Sequence, residues 1–507
     1  MAVLVCAALF WALDLVVLRA GVPHPLDDVW EYGVTARHLL QGHGFRTSVI
    51  HPPLWGLQDG ALTVPVLVHG PLLPFLYAPL LALFGAALLD QVAWLAAFFA
   101  FLTALVLFRL GTRHAGPAVG TASALAFTFA PLTVNGVNHD ASVMVGAFLL
   151  VLVFDLLARD PPHVATAAIV LGLGVLVRPE LPLALVGLSL LAGGAGTIVM
   201  VLGVVVLAGA WWWHNLAATG SPFFNLSSYL LVGPSGRWPE MGGMRDFALT
   251  PARWPQALLQ EWPQVTRKAL AYLPHALKRV LLTPSALTGW LAALGLFVGI
   301  ARASTRWIAI AAFFCALIPV AVMSFTTFDT RYITPFLALW ALSAALAAEW
   351  LWGLLPRVGH TRAWVAVLVL LMLPATVAAL AHDAREAHAL EVRLALERAQ
   401  LAPRATGAAR LPRLTPLGLE MPADSGRAAP RLMFSDTPDF VAWTTGRPTL
   451  WVTRGEYERL PGPAVPAAPA PAARGGSKGA AKPPPPSATA QSDTLPVRGG
   501  PEDTWFH

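Results

Sequence analysis

Charge is scarce in this sequence, since Asp, Glu, Lys and Arg make up only 12% of its 507 residues. A soluble globular protein carries about twice that share, because charged side chains cover its surface. Hydrophobic residues make up 56% of the chain, and they occur in blocks of about 17 to 21, the length that crosses ~30 Å of hydrocarbon. The composition therefore excludes a soluble enzyme or binding domain and predicts a polytopic integral membrane protein.

Cysteine is almost missing as well. Cys6 and Cys315 both lie within apolar blocks, so we predict packed thiols rather than a disulfide or a metal pair. The formal net charge is +6, but Arg and Lys are scattered between the apolar blocks and form no basic stripe. This distribution excludes a nucleic-acid partner, and basic residues in short loops between spans are typical of the positive-inside rule.

The apolar blocks predict an all-α polytopic bundle of about eleven transmembrane helices. We place the spans near residues 2–20, 90–110, 115–132, 141–158, 164–179, 181–195, 198–213, 284–301, 307–325, 333–352 and 363–381. Arginines in short loops favour the cytoplasmic side and therefore set the orientation. The arginines that fall on one side are Arg109, Arg113, Arg159, Arg302, Arg306, Arg357 and Arg362. The sequence thus predicts a multi-pass protein of the bacterial inner or plasma membrane, with a cytoplasmic N-terminus and an extracytoplasmic C-terminus.

Two large loops are predicted to lie outside the cytoplasm. Both belong to a membrane domain at 1–381, and they are a long first loop at 21–89 and a second at 214–283. The first loop contains an apolar, proline-rich block at 71–85 that is too short for an ordinary span. We predict a helix there that lies in, or dips into, the outer interface of the membrane.

The chain after the last span is predicted to have two parts. Residues 382–460 form an extracytoplasmic segment with a small α/β-like piece, in which strands at 431–434 and 448–453 flank a helical turn at 437–445. Residues 461–507 consist largely of Pro, Ala and Gly with few large apolar side chains. That composition predicts disorder, because it offers too little apolar surface to bury.

Acidic residues at the outer ends of predicted spans are the first candidates for chemistry. Asp27 and Asp28 follow the first span and precede a helix-like stretch. Either can cap that helix, because its free N–H groups attract a carboxylate, but capping leaves the second Asp unexplained. Asp140 follows His139 just before the fourth span, where it too could be a cap. The alternative is a site for general base catalysis.

Two arginines are predicted on the same outer side. Arg178 precedes Pro179-Glu180 between the fifth and sixth spans, and Arg331-Tyr332 follows Asp329 at the start of the tenth. A buried arginine at membrane depth is costly and needs an anionic partner. Structural pairs with Glu180 and Asp329 are one interpretation, and phosphate bound through paired guanidinium hydrogen bonds is the other.

Histidines of the first outer loop do not predict a metal site. His24, His43, His51 and His69 are scattered through the loop without the spacing that metal ligands require. We therefore expect no metal and no other cofactor, and nothing in the sequence supports a divalent ion.

The first-loop string Asp27-Asp28-x-Trp-x-Tyr-x3-Ala-Arg-x-Leu-x2-Gly-His-Gly resembles the signature of GT-C class membrane glycosyltransferases. These include the polyprenyl-phosphate-sugar-dependent protein mannosyltransferases and the aminoarabinose transferases that modify lipid A. Weaker matches follow in the family's order over roughly residues 1 to 350. They are His69-Gly70-Pro71-Leu72, Asp140, Arg178-Pro179-Glu180, Gly220-Ser221-Pro222 and Arg331-Tyr332-x2-Pro335.

The sequence also departs from the family pattern. The family's first-loop pair is often Asp-Glu, where this chain has Asp-Asp. Counted back from Ala36-Arg37, Asp28 takes the catalytic place. The family's His-Pro-Pro has become His69-Gly70-Pro71, while a true His51-Pro52-Pro53 lies upstream, so the middle of the loop has two alternative alignments.

The resemblance implies a GT-C fold and a reaction. A hexosyl or pentosyl group would pass from a polyprenyl-phosphate donor to a hydroxyl of a lipid, glycan or protein acceptor, with inversion. Asp28 would be the general base, with Asp27 beside it, and Asp140 would orient the acceptor or the base. Further contacts to substrate are predicted for Arg178, Arg331, Tyr332, His139, Arg37 and His69.

Two other functions fit the same hydropathy. A transporter or flippase of a lipid-linked substrate would place charges within its spans and show repeat symmetry between its halves. No clear internal repeat is present, and the polar candidates cluster at outer span ends. A non-catalytic GT-C-like assembly protein would keep the fold without turnover, and the intact Asp28 and Asp140 favour a transferase over it.

Overall fold

The computed structural model describes most of the chain up to residue 382. The described residues are 2–13, 27–59, 62–85, 88–139, 141–233, 242–282, 286–326, 330–355, 363–382, 385, 433–435, 442 and 448–451. The predicted tail at 461–507 lies outside them, as does most of the segment at 382–460.

Helices make up most of the described chain. Their bounds are α1 Ala2–Leu13, α2 Asp27–Leu40, α3 Leu72–Phe84, α4 Leu88–Ala115, α5 Pro117–Thr128, α6 Pro131–His139, α7 Ala141–Leu157, α8 Val164–Val175, α9 Leu185–Thr219, α10 Trp254–Leu282, α11 Ala286–Ala301, α12 Arg306–Met323, α13 Thr330–Leu337, α14 Trp340–Gly353 and α15 Ala363–His382. Short 3-10 turns lie at Pro52–Leu57, Leu181–Ala184, Leu226–Leu231 and Gly242–Arg245. The predicted all-α membrane bundle is confirmed.

Four of the described helices are long and apolar enough to cross a membrane, or up to six if each bent pair counts as one span. The four are Ala93–Ala115, Leu181–Thr219, Arg306–Met323 and Ala363–His382. The bent pairs are α5 with α6, at 54°, and α13 with α14, at 50°. Shorter apolar helices include α3, α7, α8 and most of α11, so the total of about eleven spans stays a prediction.

One pair of predicted spans forms a single helical stretch. The sequence suggests separate spans at 181–195 and 198–213, whereas α9 runs through both with one interruption at Gly193. Gly193 has φ 68° and ψ 176°, a conformation open to glycine because it lacks a Cβ. The hydropathy pattern shows a gap there but cannot tell a kink from a loop.

Small residues let the helices approach closely. Where α4 meets α5, a Cβ on Gly120 would collide with the backbone of Phe108 and Thr112. Such small-residue contacts are typical of membrane helices, where dispersion replaces the hydrophobic effect as the attraction between them. Cys315 is buried in α12, as predicted, but Cys6 is exposed, so the expectation of a packed thiol is wrong for that residue.

The described strands tie the C-terminal segment to the first outer loop. They are β1 Arg46–Thr47, β2 Val49–Ile50, β3 Val64–Pro65, β4 Met433–Ser435 and β5 Thr449–Trp451. β1 pairs antiparallel with β3, and the second sheet has the order β2-β5-β4 with parallel pairs. β4 and β5 fall where strands are predicted, while the turn at 437–445 lies outside the described residues except for Ala442.

The two predicted outer loops share a hydrophobic core of their own. Ile50 and Leu67 from the first loop are buried with Phe224 and Tyr229 from the second. Leu450 of β5 belongs to the same cluster. The second loop and the C-terminal strand therefore pack against the first loop, which carries several of the residues described next.

Candidate active site

The candidate site is built on the first turns of α2. This helix begins at Asp27, and the partial positive charge of a helix N-terminus stabilises carboxylates there. Asp28 and Glu31 are three residues apart, so their side chains lie on one face of the helix. The Asp28 side chain is 27% exposed, whereas that of Glu31 is 4% exposed. The side chain of Asp27 is not among those described.

Arg331 of α13 reaches Asp28 from the far end of the sequence. Its Nη1 donates to Asp28 Oδ2 at 2.8 Å. Both side chains are about three-quarters buried, so water screens this ion pair less than it would screen a surface pair. The alternative partner that the sequence offers, Asp329, lies outside the described residues. Two predicted site residues from opposite ends of the membrane domain are thus in contact.

Arg178 lies near this pair, and the Tyr332 ring is close to both guanidiniums. Arg178 Nε donates to Glu180 Oε1 at 2.6 Å and Nη1 donates to Ser142 Oγ at 2.7 Å. Its Cζ lies 5.3 Å from the centre of the Tyr332 ring, and that of Arg331 lies 5.2 Å from it. Cation–π attraction holds guanidiniums at such distances. The structural pair with Glu180 is therefore present, and Arg178 keeps further contacts beside it.

His69 faces both carboxylates of α2. Its Nε2 lies 3.3 Å from Glu31 Oε2 and 4.0 Å from Asp28 Oδ1. Its Nδ1 lies 3.2 Å from the hydroxyl of Tyr32, and the two rings pack at 4.6 Å between centroids. Contacts on both ring nitrogens fix the plane of the imidazole, so His69 is held in one orientation against Asp28.

Glu31 is the buried anion at the centre of these histidines. His51 Nε2 lies 3.9 Å from Glu31 Oε2, on the same oxygen that His69 approaches. Burial by itself raises the pKa of Glu31, but the two nearby histidines, His69 and His51, outweigh it, and the pKa falls from 4.5 to about 2. Glu31 is therefore ionised at neutral pH although it is almost completely buried.

Asp28 is also ionised at neutral pH. Burial raises its pKa, while the charges of Arg331 and His69 lower it, and the net shift is downward from 3.8. Glu31 opposes that shift as a like charge, and Arg178 adds a smaller favourable contribution. A carboxylate that is unprotonated and partly exposed, next to fixed cations, can accept a proton from a bound hydroxyl.

The remaining sequence candidates lie elsewhere or outside the described part. Arg37 is nine residues beyond Asp28, which places it on the opposite face of α2 at about 100° per residue. It is half-buried, and burial lowers its pKa. Asp140 lies outside the described residues, as does the side chain of His139. Their predicted roles stay predictions.

Sequence reasoning missed Glu31, His51 and Ser142 as members of the site. Glu31 carries a readable signal, since its spacing from Asp28 puts it on the same helix face. His51 was considered as a metal ligand and as an alternative match to the family's His-Pro-Pro, and its neighbours become visible only when β2 is placed. Ser142 is an ordinary residue of an apolar helix, so no local signal marks it.

An apolar groove begins about one helical turn from Arg331. Thr334 and Leu337 of α13 line it together with Trp340 of α14, and Phe127 of α5 closes another side. Most of the residues that line the groove belong to the two bent helix pairs. Within the described chain, no group of three or more His, Cys, Asp or Glu side chains is placed to hold a metal ion.

Comparison with known proteins identifies the fold. No protein-family model and no curated protein sequence matches the chain. Among solved structures it is similar to ArnT from Cupriavidus metallidurans bound to undecaprenyl phosphate, with a TM-score of 0.55, 15% identity and 88% of each chain covered. It also matches the Archaeoglobus fulgidus oligosaccharyltransferase AglB, in complex with an inhibitory peptide and a dolichol-phosphate, at a TM-score of 0.48 and 14% identity over 88% of this chain and 64% of that one.

The match to ArnT carries one conclusion. At 15% identity it shows the fold alone, and that fold covers nearly the whole of both chains. The AglB match is too weak in TM-score to add to it. The GT-C fold implied by the first-loop string is confirmed, and the chain is a multi-pass membrane protein of that architecture.

Proposed function

We propose that this protein is a membrane glycosyltransferase that moves a hexosyl or pentosyl group from a polyprenyl-phosphate donor to an acceptor hydroxyl outside the cytoplasm. The observation that carries the proposal is the contact between Asp28 and Arg331. This contact places a carboxylate that can accept a proton beside a guanidinium that can bind phosphate, within a GT-C fold. The ArnT structure with the same fold is bound to undecaprenyl phosphate, which supports a lipid phosphate as the leaving group.

In the proposed step, the acceptor hydroxyl loses its proton to the Asp28 carboxylate while its oxygen bonds to the anomeric carbon of the sugar. The bond from that carbon to the phosphate oxygen breaks, and the oxygen keeps the electron pair as polyprenyl phosphate. Attack opposite the leaving group inverts the anomeric centre. Asp140 would orient the acceptor or the base, and Asp27 would add to the negative potential at the start of α2.

The two arginines would stabilise the departing phosphate. A phosphate needs compensation of its charge rather than a proton, and fixed guanidiniums in a dry cavity supply it without reorganising at the moment of reaction. Arg331 and Arg178 both lie within about 5.3 Å of the Tyr332 ring centre, and in the proposed complex both would face the same phosphate. A phosphate bound to Arg331 would compete with Asp28 for the guanidinium and weaken their ion pair. The pKa of Asp28 would then rise, so Asp28 would be a stronger base when donor is bound.

The lipid part of the donor has a place beside this charge. The apolar groove starts within a turn of Arg331 and is lined by Leu337, Trp340 and Phe127. An isoprenoid chain that lies along this groove, whose enclosed volume is only about 30 Å³, would place its phosphate near Arg331. The acceptor, whether lipid, glycan or protein, would enter from the packed outer loops, where specificity would be set.

The experiment is donor turnover in a defined membrane. Purified protein in lipid is offered a panel of polyprenyl-phosphate sugars with candidate acceptors, and release of free polyprenyl phosphate is measured. We expect release by wild type and loss in Asp28→Asn. Asp246→Asn is the matched control, because Asp246 lies in the second loop, where its Oδ1 accepts the N–H of Ala248.

Each other outcome points to a different protein. Release that Asp28→Asn leaves unchanged, with the variant folded, would remove Asp28 as the base. Movement of labelled donor across the bilayer without release would identify a flippase. Absence of both activities with every donor and acceptor would favour a non-catalytic assembly protein.

A further inference from the structure

A second cluster of charges lies at the other end of the bundle. Asp155 near the end of α7 is completely buried, and three arginines surround it. Arg113 Nη1 lies 3.1 Å from Asp155 Oδ1, and Arg159 Nη2 lies 3.0 Å from Oδ2. Arg109 contacts both oxygens through Nε and Nη2. We call Arg109, Arg113 and Arg159 the arginine cluster.

The arginine cluster holds more positive charge than Asp155 can neutralise. Three guanidiniums face one carboxylate, and among the described residues no other carboxylate lies within salt-bridge distance of them. Their side chains are 46%, 35% and 26% exposed for Arg109, Arg113 and Arg159, so N–H groups that do not face Asp155 are open to the surroundings. The Nε of Arg159 is buried without a hydrogen-bond partner.

The cluster lies far from the candidate active site. Along α7, Asp155 is about 20 Å from Ser142, which contacts Arg178 in that site. Nearly all residues between them on α7 are buried and apolar. This distance is about two-thirds of the ~30 Å hydrocarbon layer, so the cluster lies toward the opposite membrane surface, which the sequence predicts to be cytoplasmic.

An apolar, exposed face of α4 leads directly to Arg109. Trp94, Phe98 and Leu105 are exposed by 46%, 55% and 36%. Their spacing and that of Arg109 keep all four side chains on one helix face, within about 60° of each other. From Trp94 to Leu105 the face extends for about 16 Å, roughly half of the hydrocarbon thickness. An acyl chain of one leaflet therefore fits along α4 with its headgroup at Arg109.

We propose that the arginine cluster binds the phosphate of an anionic phospholipid whose acyl chain lies on the exposed face of α4. Guanidiniums bind phosphate through paired hydrogen bonds and lose less hydration than ammonium groups. Asp155 holds the three side chains in place before the lipid arrives, and the surplus charge selects an anionic headgroup over a zwitterionic one. This inference does not depend on the proposed glycosyl transfer.

The test compares lipid retention by the full-length protein. Wild type is equilibrated with vesicles of phosphatidylcholine containing phosphatidylglycerol, and bound lipid is counted by native mass spectrometry. We expect retained phosphatidylglycerol in wild type, and affinity lower by about fivefold in Arg109→Gln and in Arg113→Gln. Arg306→Gln is the matched control, because Arg306 is exposed and contacts a backbone carbonyl rather than a carboxylate.

Two further measurements guard against a folding defect. Arg109→Lys keeps the charge without the planar fork and should retain lipid at an intermediate level. Retention by wild type should fall as ionic strength rises, because the attraction is electrostatic. Equal retention of phosphatidylglycerol and phosphatidylcholine by wild type, or equal loss in Arg306→Gln, would overturn the proposal. Displacement of the lipid by millimolar inorganic phosphate would reduce the site to a general anion site.

Discussion

Replacing Glu31 with Gln tests how much of the protein's stability the buried anion supplies. Burial raises the pKa of Glu31, but His51 and His69 outweigh it and lower the pKa from 4.5 to about 2. A shift of this size corresponds to about 3 kcal/mol of folding free energy at neutral pH, because one pKa unit is worth about 1.4 kcal/mol. The side chain is 4% exposed, so solvent screening takes little from that figure.

The sign of the pH dependence follows from the lowered pKa. A carboxylate whose folded pKa lies below its unfolded value stabilises the fold fully above pH 4.5, and this contribution is lost as pH falls toward 2. We therefore expect Glu31→Gln to lose about 3 kcal/mol at pH 7, and about half of that difference to have disappeared by ~pH 3.

The assay is denaturant unfolding in lipid or detergent at both pH values, with Glu349→Gln as the control. Glu349 pairs with Arg302 at 2.5 Å, but it is 31% exposed, so its loss should cost about 1 kcal/mol or less. Equal destabilisation by the two substitutions would refute the argument. So would a difference for Glu31→Gln that stays the same from pH 7 to pH 3.

The remaining predictions concern the site and the bundle. Arg331→Gln should lower donor turnover by about 10²- to 10³-fold, because a positive charge that stabilises the leaving phosphate is lost. It should also raise the pKa of Asp28, so the acid limb of the pH–rate profile should move to higher pH. A chelator should leave turnover unchanged, because in the proposed mechanism Arg178 and Arg331 supply the charge, and loss of rate with recovery on adding a divalent ion would contradict this. Gly120→Ala should destabilise the bundle by about 1 to 3 kcal/mol in unfolding experiments, whereas Gly209→Ala, where a Cβ meets open space, should have little effect.

The fold was predictable because the membrane restricts it. Hydropathy alone indicates helices, and the first-loop string around Asp28 indicates which helical architecture they form. Span boundaries were less accessible, since a positive φ at Gly193 turns an expected loop into a kink within α9. A single glycine does not reveal in sequence whether the chain bends or ends a helix.

The candidate site was predictable in part of its members but not in its contacts. Asp28, His69 and Arg331 were all identified, with Asp329 or a bound phosphate as the alternative partners of Arg331. Asp28 was not among those alternatives, and its contact with Arg331 depends on how α13 packs against the start of α2. Glu31 was overlooked because a lone carboxylate in a short helix has an ordinary surface role until two histidines are placed beside it. Those histidines lie in loops, and the hydrophobic periodicity of the sequence does not predict where a loop packs.

The pairing of β5 with β2 bears on the order in which the molecule becomes functional. The N–H of Thr449 donates to the carbonyl oxygen of Ser48 at 2.8 Å. His51 comes directly after β2 in the chain, and its side chain faces Glu31. In a nascent chain, β2 therefore cannot pair with β5 and position His51 until synthesis and export have proceeded as far as Thr449. We expect a chain stopped earlier to insert its helices normally and yet remain inactive, so that turnover begins only after the C-terminal segment has reached the outer surface.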